Sequence, residues 1–397
     1  MPATDRSQQG IELDVPWCFT DDHRSWRTVL RNFTTSVLAP TVAQRTIDAT
    51  FDESIIDGLG ELGVFGLRVS EEYGGSGSDI TSFCLAVEEI TRVDGGVGAS
   101  AHVQGIACAL FERLANDEQK KEILPQAARG EIFISFGLTE PSGGSDAGNI
   151  RTAAVRDGDG WRLNGSKAFI TNPGTPRSKY VILFAATGPG RPGRPEVSAF
   201  LVPLDAPGVE VGPAYDKIGW RTSDTHPLYF DDVHLGPDAL LGDAGRGYRE
   251  ALGFLTWARL PIASASVGIA QGCLDATLDF VQTRESFNQR LGDHQAVGFK
   301  VARMAAATAA ARSITYDACW KMDHGHPYEQ EAAMCKLVAS EICNKVAYDA
   351  TQLHGGAGFM MDSTVTRLYG DARVMTIGEG ASEVQQMLIG RSLGLKV

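Results

Sequence analysis

Apolar residues recur at helical spacing at both ends of this sequence and at strand-like spacing in its middle. Those two changes of period divide the chain into three. From about residue 20 to 133, Trp26, Leu30, Phe33 and Val37 predict one buried helix face, and Ile55, Leu59, Leu62 and Phe65 a second short helix. Ile80 to Val93 and Gly98 to Leu114 read as central helices, and Asn116-Asp117 caps another. From about 134 to 240, Asp157-Gly158 and Asn164-Gly165 are hairpin signals. Short strand-like runs follow at 180–185, 197–202, 209–211 and 228–233, and Gly188 to Pro195 reads as an exposed loop. That pattern predicts a small β-barrel or sandwich. From 241 to 397 four helical stretches predict a four-helix bundle, one carrying the Ala-rich run Ala305 to Ala311. The fold class is therefore α+β, mostly α, with residues 1–19 as a flexible tail.

Composition limits the partners. The chain has 397 residues, 43% of them hydrophobic, and a formal net charge of -13. An acidic chain without a basic run does not suit nucleic acid or an anionic membrane surface. Met1 to Asp14 is polar, without the pattern of a signal peptide, and no uninterrupted apolar stretch reaches the roughly 18 residues of a membrane span. The seven cysteines form no C-x-x-C pair, so reduced thiols, a cytoplasmic location and no metal site are expected.

One carboxylate stands out. Glu379 lies between glycines in Ile377-Gly378-Glu379-Gly380-Ala381-Ser382-Glu383. Flanking glycines weaken a helix, so this reads as a tight loop whose backbone can approach a ligand. A solvated surface turn is the plain alternative.

Motifs in order along the chain bear on that choice. Leu138-Thr139-Glu140-Pro141-Ser142-Gly143-Gly144-Ser145-Asp146 resembles the T-E-P-x-x-G-S-D signature of the acyl-CoA dehydrogenase family. Phe169-Ile170-Thr171-Asn172 resembles its W/F-I-T-N segment, and Gly219 to Thr225 with Phe230 to Val233 the end of its β-domain. Arg284-Glu285-Ser286-Phe287 and His294-Gln295-Ala296 resemble its R-x-x-F and H-Q-A elements. Gln352 to Phe359 resembles Q-x-x-G-G-x-G-F/Y, and the Glu379 loop resembles E-G-T-S-E-I-Q-R. The resemblance runs from about residue 20 to 395.

It implies FAD. Phe136, Leu138, Thr139, Phe169 and Thr171 would line the flavin, with the two threonines as donors and Phe169 across a ring face. Gly144 and Ser145 would lie near flavin and pantetheine. Arg284, Phe287 and Gln295 would meet the diphosphate and adenosine, the arginine through its fixed donor fork. Gln352, Gly355 and Gly356 would reach an FAD shared with a neighbouring subunit, implying a tetramer or dimer, and Ala381 and Glu383 would complete the cofactor site. Glu379 would take the α-proton of an acyl thioester while the β-hydride goes to flavin N5. Its own N–H would help hold the thioester oxygen. Ser145, Thr256, Arg259, Gly378 and Gly380 would bind substrate, and an electron-transferring flavoprotein would accept the electrons. Some members carry the base on the helix near Arg259, where this chain has Ala258.

Departures bear on the substrate. Thr256 replaces a frequent aspartate near pantetheine, Gly378 a frequent tyrosine, and Ala381 the usual threonine. Gln386, Gly370 and Asn288 replace an arginine, an arginine and a glycine, and read as altered packing or subunit contacts. An acyl-carrier-protein-linked or otherwise unusual acyl thioester is the alternative substrate. A flavin oxidase or monooxygenase of the same fold and a non-catalytic scaffold are the other readings.

Overall fold

A computed structural model describes residue 15 and residues 17–397, except 192 and 193. Most of the tail expected at 1–19 lies outside the described residues. Val15, Cys18 and Phe19, however, are buried against the core, so the packed chain begins before residue 20.

Six helices form the N-terminal region: α1 (Asp21–Phe33), α2 (Val42–Asp48), α3 (Glu53–Glu61), α4 (Ile80–Thr91), α5 (Gly95–Leu114) and α6 (Asp117–Ala128). Thr20 starts α1 with a reciprocal capping box through His23, and Asn116 does the same for α6 through Gln119. The helical stripe predicts Val37 inside. The structure exposes Val37 and buries Leu38, because Thr34–Leu38 is a π-turn that adds a residue and shifts the buried face by one.

Eight strands follow: β1 (Phe133–Gly137), β2 (Ala153–Asp157), β3 (Gly160–Thr171), β4 (Ser178–Arg191), β5 (Arg194–Pro203), β6 (Val209–Val211), β7 (Thr225–Leu235) and β8 (Leu240–Leu241). They make one sheet in the order β6-β7-β3-β2-β4-β5-β8, with β1 parallel to β4. Side chains alternate across β4. Val181, Leu183 and Ala185 join Trp161, Phe200, Leu228 and Phe230 in a core belonging to the sheet alone, whereas Ile182 and Phe184 face the core shared with the helices. Asp157-Gly158 turns between β2 and β3 as predicted, but Asn164-Gly165 does not turn. It forms an irregularity within β3, where Gly165 has φ 144 and a Cβ would lie 2.6 Å from Thr152 Cα. Of the predicted loop at Gly188 to Pro195, Gly188–Arg191 and Arg194–Pro195 are instead the far end of the β4–β5 pair, with register shifts on both sides of Gly188, and 192 and 193 lie outside the described residues.

The C-terminal region contains α7 (Gly247–Thr283), the short β9 (Glu285–Ser286) and β10 (Gln289–Arg290), then α8 (Gln295–Asp323), α9 (Glu329–His354), α10 (Thr364–Arg373) and α11 (Ser382–Ser392). The four expected helices pack together, with α9 against α7, α8 and α11. The short α10 has no counterpart in the sequence reading; it buries Val365, Leu368 and Ala372 against α7 and α9. Helix α7 is long and apolar enough to cross a membrane by composition, but most of that stretch is buried inside the protein. All seven cysteines are buried and unpaired.

Candidate functional site

The Gly378–Gly380 loop joins a 3-10 turn (Val374–Thr376) to α11. Glu379 holds φ 52 and Gly380 φ 90, so the loop is a left-handed turn as the flanking glycines suggest. The Lys336 ammonium on α9 donates to the Gly380 carbonyl at 2.6 Å. The Gln385 amide on α11 donates to the same oxygen at 2.9 Å and to the Glu379 carbonyl at 3.4 Å. Glu379 Oε1 faces His102 Nε2 of α5 at 4.0 Å. Glu379 Oε2, both His102 ring nitrogens and Arg259 Nε are buried without hydrogen-bond partners. Such groups are costly unless a ligand or water meets them. Burial lowers the pKa of Arg259, and the Glu379 charge opposes it. Burial brings Lys336 down to about 8; Glu379 and Glu383 oppose this, and Arg259 adds to it. His102 belongs to none of the sequence motifs; its only signal is a histidine within the apolar run from Gly98 to Leu114.

A second group of predicted residues borders the first third of α7. Phe136 of β1 stacks on Phe254 of α7, with centroids 5.5 Å apart. Leu138 is buried and Thr139 half-buried at the end of β1. The Thr139 carbonyl accepts from Ala168 N at 2.9 Å, which ties the end of β1 to β3 beside Phe169. Phe169 has φ 58 and a ring 65% exposed, leaning on Tyr215 at 5.1 Å. Thr171 closes β3 opposite Thr225. Among the described residues the hydroxyls of Thr139, Thr171 and Ser145 make no hydrogen bond. The glutamate of the signature turn serves the scaffold. Glu140 accepts from Lys167 Nζ (2.9 Å), Arg151 N (2.8 Å) and Thr152 N (2.9 Å). Burial raises its pKa, but the Lys167 ammonium and the two amides outweigh this and hold it at about 2. Gly143 through Ser145 stay exposed, and a Cβ on Gly144 would meet only Thr139 Cγ2, at 3.6 Å.

Of the predicted substrate residues, Arg259 is buried on α7 near enough to Glu379 to feel its charge. Thr256 lies half-buried one turn earlier on α7, its hydroxyl turned back to the Leu252 carbonyl at 3.0 Å. Gly380 is required by the loop, since a Cβ would lie 2.6 Å from Gln385 Nε2. Gly378 is not: a Cβ there would meet nothing closer than Val374 O at 3.8 Å. Ala381 and Glu383 open α11 beside Glu379.

The remaining predicted residues cluster elsewhere. Arg284, Phe287 and Gln295 occupy the exposed connection from α7 to α8, with Phe287 91% exposed at φ 52. Gln352, Gly355 and Gly356 end α9, also exposed. Phe280 stacked on His354 at 4.2 Å holds these two segments together. The side chains of Arg284, Gln295 and Gln352 have no partner among the described residues. Arg284 follows Arg259 by 25 positions along α7, which at the helical rise separates them by ~37 Å. The predicted site residues therefore fall into two groups, well separated along one helix.

Sequence models of the acyl-CoA dehydrogenase N-terminal, middle and C-terminal domains match residues 20–131, 135–233 and 245–394. A probable acyl-CoA dehydrogenase of Bacillus subtilis (strain 168) is 39% identical over 94% of this chain and 98% of its own length. The structure of butyryl-CoA dehydrogenase from Megasphaera elsdenii is similar at TM-score 0.90 and 34% identity, covering 94% of this chain and 98% of that one. A glutaryl-CoA dehydrogenase from Mycobacterium smegmatis, solved in complex with FADH2, is similar at TM-score 0.90 and 30% identity, covering 96% of each chain. With all three domains matched in order, this chain belongs to the acyl-CoA dehydrogenase family, oxidoreductases that bind FAD and act on acyl-CoA thioesters.

Proposed function

We propose that Glu379 is the base that removes the α-proton of an acyl thioester bound between the Gly378–Gly380 loop and α7. The observation that carries this reading is Glu379 Oε2, buried without a partner on a left-handed loop, with Arg259 close enough to couple to its charge. A carboxylate oxygen held this way is fixed in place and free to accept a proton, which general-base catalysis requires. The Glu379 N–H stabilises the thioester oxygen as charge develops on it.

The residues fit FAD. Thr139 and Thr171 offer free hydroxyls, Phe136 and Leu138 an apolar wall, and Phe169 an exposed ring over the same edge. Arg284, Gln295 and Gln352 offer free donors beside Gly355 and Gly356, where a Cβ would meet nothing within 4 Å. FAD, when bound, supplies the acceptor for the β-hydrogen and its electron pair. Two half-sites ~37 Å apart along one helix fit a cofactor held between two copies. The chain then works as a dimer or tetramer, with an electron-transferring flavoprotein as acceptor and a cytoplasmic location.

Glu379→Gln retains FAD absorbance but loses anaerobic flavin bleaching by substrate; near-normal bleaching removes Glu379 from this role. Gly378, open where a side chain would fit, and Thr256, bonded back to its own helix, favour a second reading. In it the substrate is a carrier-protein thioester or an unusual acyl group. A panel of acyl-CoA and acyl-carrier-protein thioesters separates the two, and efficient turnover of simple straight-chain acyl-CoAs rejects the second.

A further inference from the structure

Lys336 is fully buried on α9, and its ammonium bonds a loop carbonyl rather than a carboxylate. Among the described residues no acid lies within ion-pair distance of it. A buried cation without a counter-ion is expensive, and a buried lysine is stable only if something nearby rewards its charge. The nearby groups are Glu379 on the loop, Glu383 of α11 and Arg259 of α7. The loop itself is over-determined. Glu379 occupies a left-handed conformation that costs a non-glycine residue on the order of 1–3 kcal/mol. Two donors, Lys336 and Gln385, converge on the Gly380 oxygen behind it. Gly380 holds φ 90, a backbone conformation that strains any residue with a Cβ.

We infer that Lys336 is a positioning residue for catalysis: its ammonium clamps the Gly380 carbonyl and so fixes the Glu379 loop. Gln385 shares this task from α11, while His102 faces the carboxylate from α5. Lys336 touches no substrate atom and acts only through Glu379. The inference thus rests on Glu379 being the base.

The experiment compares Lys336→Met, Lys336→Gln and Lys336→Arg holoenzymes with wild type and Glu379→Gln. FAD content and thermal midpoint are recorded for each. The readouts are kcat and KM from anaerobic flavin reduction across pH, and exchange of the substrate α-proton with deuterated solvent. Losing a charge-assisted hydrogen bond that matters only for geometry at the base lowers kcat of Lys336→Met by about 10- to 100-fold, with KM changed far less. Exchange of the α-proton falls in step with kcat, because a displaced base is the cause of both. Lys336→Gln keeps a donor for the carbonyl, so it recovers part of kcat and of exchange. Lys336→Arg keeps a charged donor and recovers more of each. A Lys336→Met enzyme with wild-type kcat and exchange overturns the proposal while leaving Glu379 as base, provided Glu379→Gln is inactive. An active Glu379→Gln overturns both. If Lys336→Met does not fold, the Gln and Arg pair decides alone: folded variants that retain FAD but recover no exchange above Glu379→Gln reject the clamp.

Discussion

If the cofactor is held between two copies, two inactive variants must rescue one another. Consider Glu379→Gln, which keeps every cofactor contact of the far half-site, and Arg284→Ala, which keeps the base but loses the diphosphate fork. Each is defective as a homo-oligomer. Arg284 and the Glu379 end of α7 lie ~37 Å apart within a chain, so one FAD is assigned the base of one copy and the arginine of the next. In a mixed pair, one site then combines the base of the Arg284→Ala chain with the arginine of the Glu379→Gln chain and is wild type in both. The other site carries both lesions. With equal co-expression and random pairing, roughly half the pairs are mixed and half their sites are intact, so roughly one quarter of wild-type activity returns. The assay co-expresses the two chains with different tags, purifies in tandem and measures FAD content and anaerobic bleaching. Tandem-purified pairs, all mixed, approach roughly half of wild type. Arg284→Ala alone should bind FAD about 10- to 100-fold more weakly, the loss expected for a charge-assisted fork. If the tandem-purified mixture is no more active than Arg284→Ala alone, each chain completes its own site and the two-half-site reasoning is wrong.

Gly378→Tyr fits the backbone, because a Cβ there makes only ordinary contact with Val374 O at 3.8 Å. The thermal midpoint should barely move, whereas kcat/KM for bulky or branched acyl thioesters falls about tenfold or more relative to short straight chains. Unchanged selectivity would mean that position 378 does not line the acyl site. Asp371 joins the three regions, accepting from Trp220 N at 2.5 Å and Gly95 N at 3.2 Å from its place on α10. Burial pushes its pKa up from 3.8 to about 7, with Asp94 adding to the rise and the two amides and Arg367 opposing it. A carboxyl with a raised folded pKa favours the protonated form. Its ionisation penalty is therefore absent below about pH 4, grows as pH rises toward 7, and is constant above that, reaching at most about 4 kcal/mol. Asp371→Asn keeps an acceptor for only one of the two amides, which lowers its stability by a pH-independent amount, so urea stability of wild type relative to this variant should still fall between pH 4 and 7. Parallel profiles would show that Asp371 is ionised throughout.

Much of this layout could be read from the sequence, because the signals were local. Asn116 marks the start of α6, which it caps, and Asp157-Gly158 marks the turn between β2 and β3. The failures came where tertiary contact overruled a local signal. Asn164-Gly165 has the composition of a tight turn, yet Gly165 serves a strand irregularity beside Thr152. Val37 fits an ideal helix, but a π-turn rotates it outward. Lys336, Lys167 and His102 could not be picked out, since a lysine or histidine in a helix reads as surface until its neighbours in space are known. Their roles depend on Gly380, Glu140 and Glu379, residues 44, 27 and 277 positions away.

Backbone strain links the legible and illegible parts of the site. Among the described residues, eight non-glycine residues have positive φ: Ala49, Phe169, Asn172, Trp220, Asp232, Phe287, Asn288 and Glu379. Phe169, Phe287 and Glu379 are also candidate site residues by motif, and Asn172 and Asn288 are close neighbours of the two phenylalanines. A phenylalanine is a poor choice for that conformation on steric grounds, and neither ring is there to fill a core, at 65% and 91% exposure. A strained backbone presenting an exposed aromatic ring is stable only if something else holds it or a ligand covers it. The two rings lie at opposite half-sites, one beside Thr171 and the other beside Arg284, so the strain marks both ends of the proposed cofactor path. Glu379 completes the pattern at the chemical end. There Lys336 and Gln385 hold the turn through the Gly380 carbonyl, while Oε2 of the Glu379 carboxylate is buried without a partner.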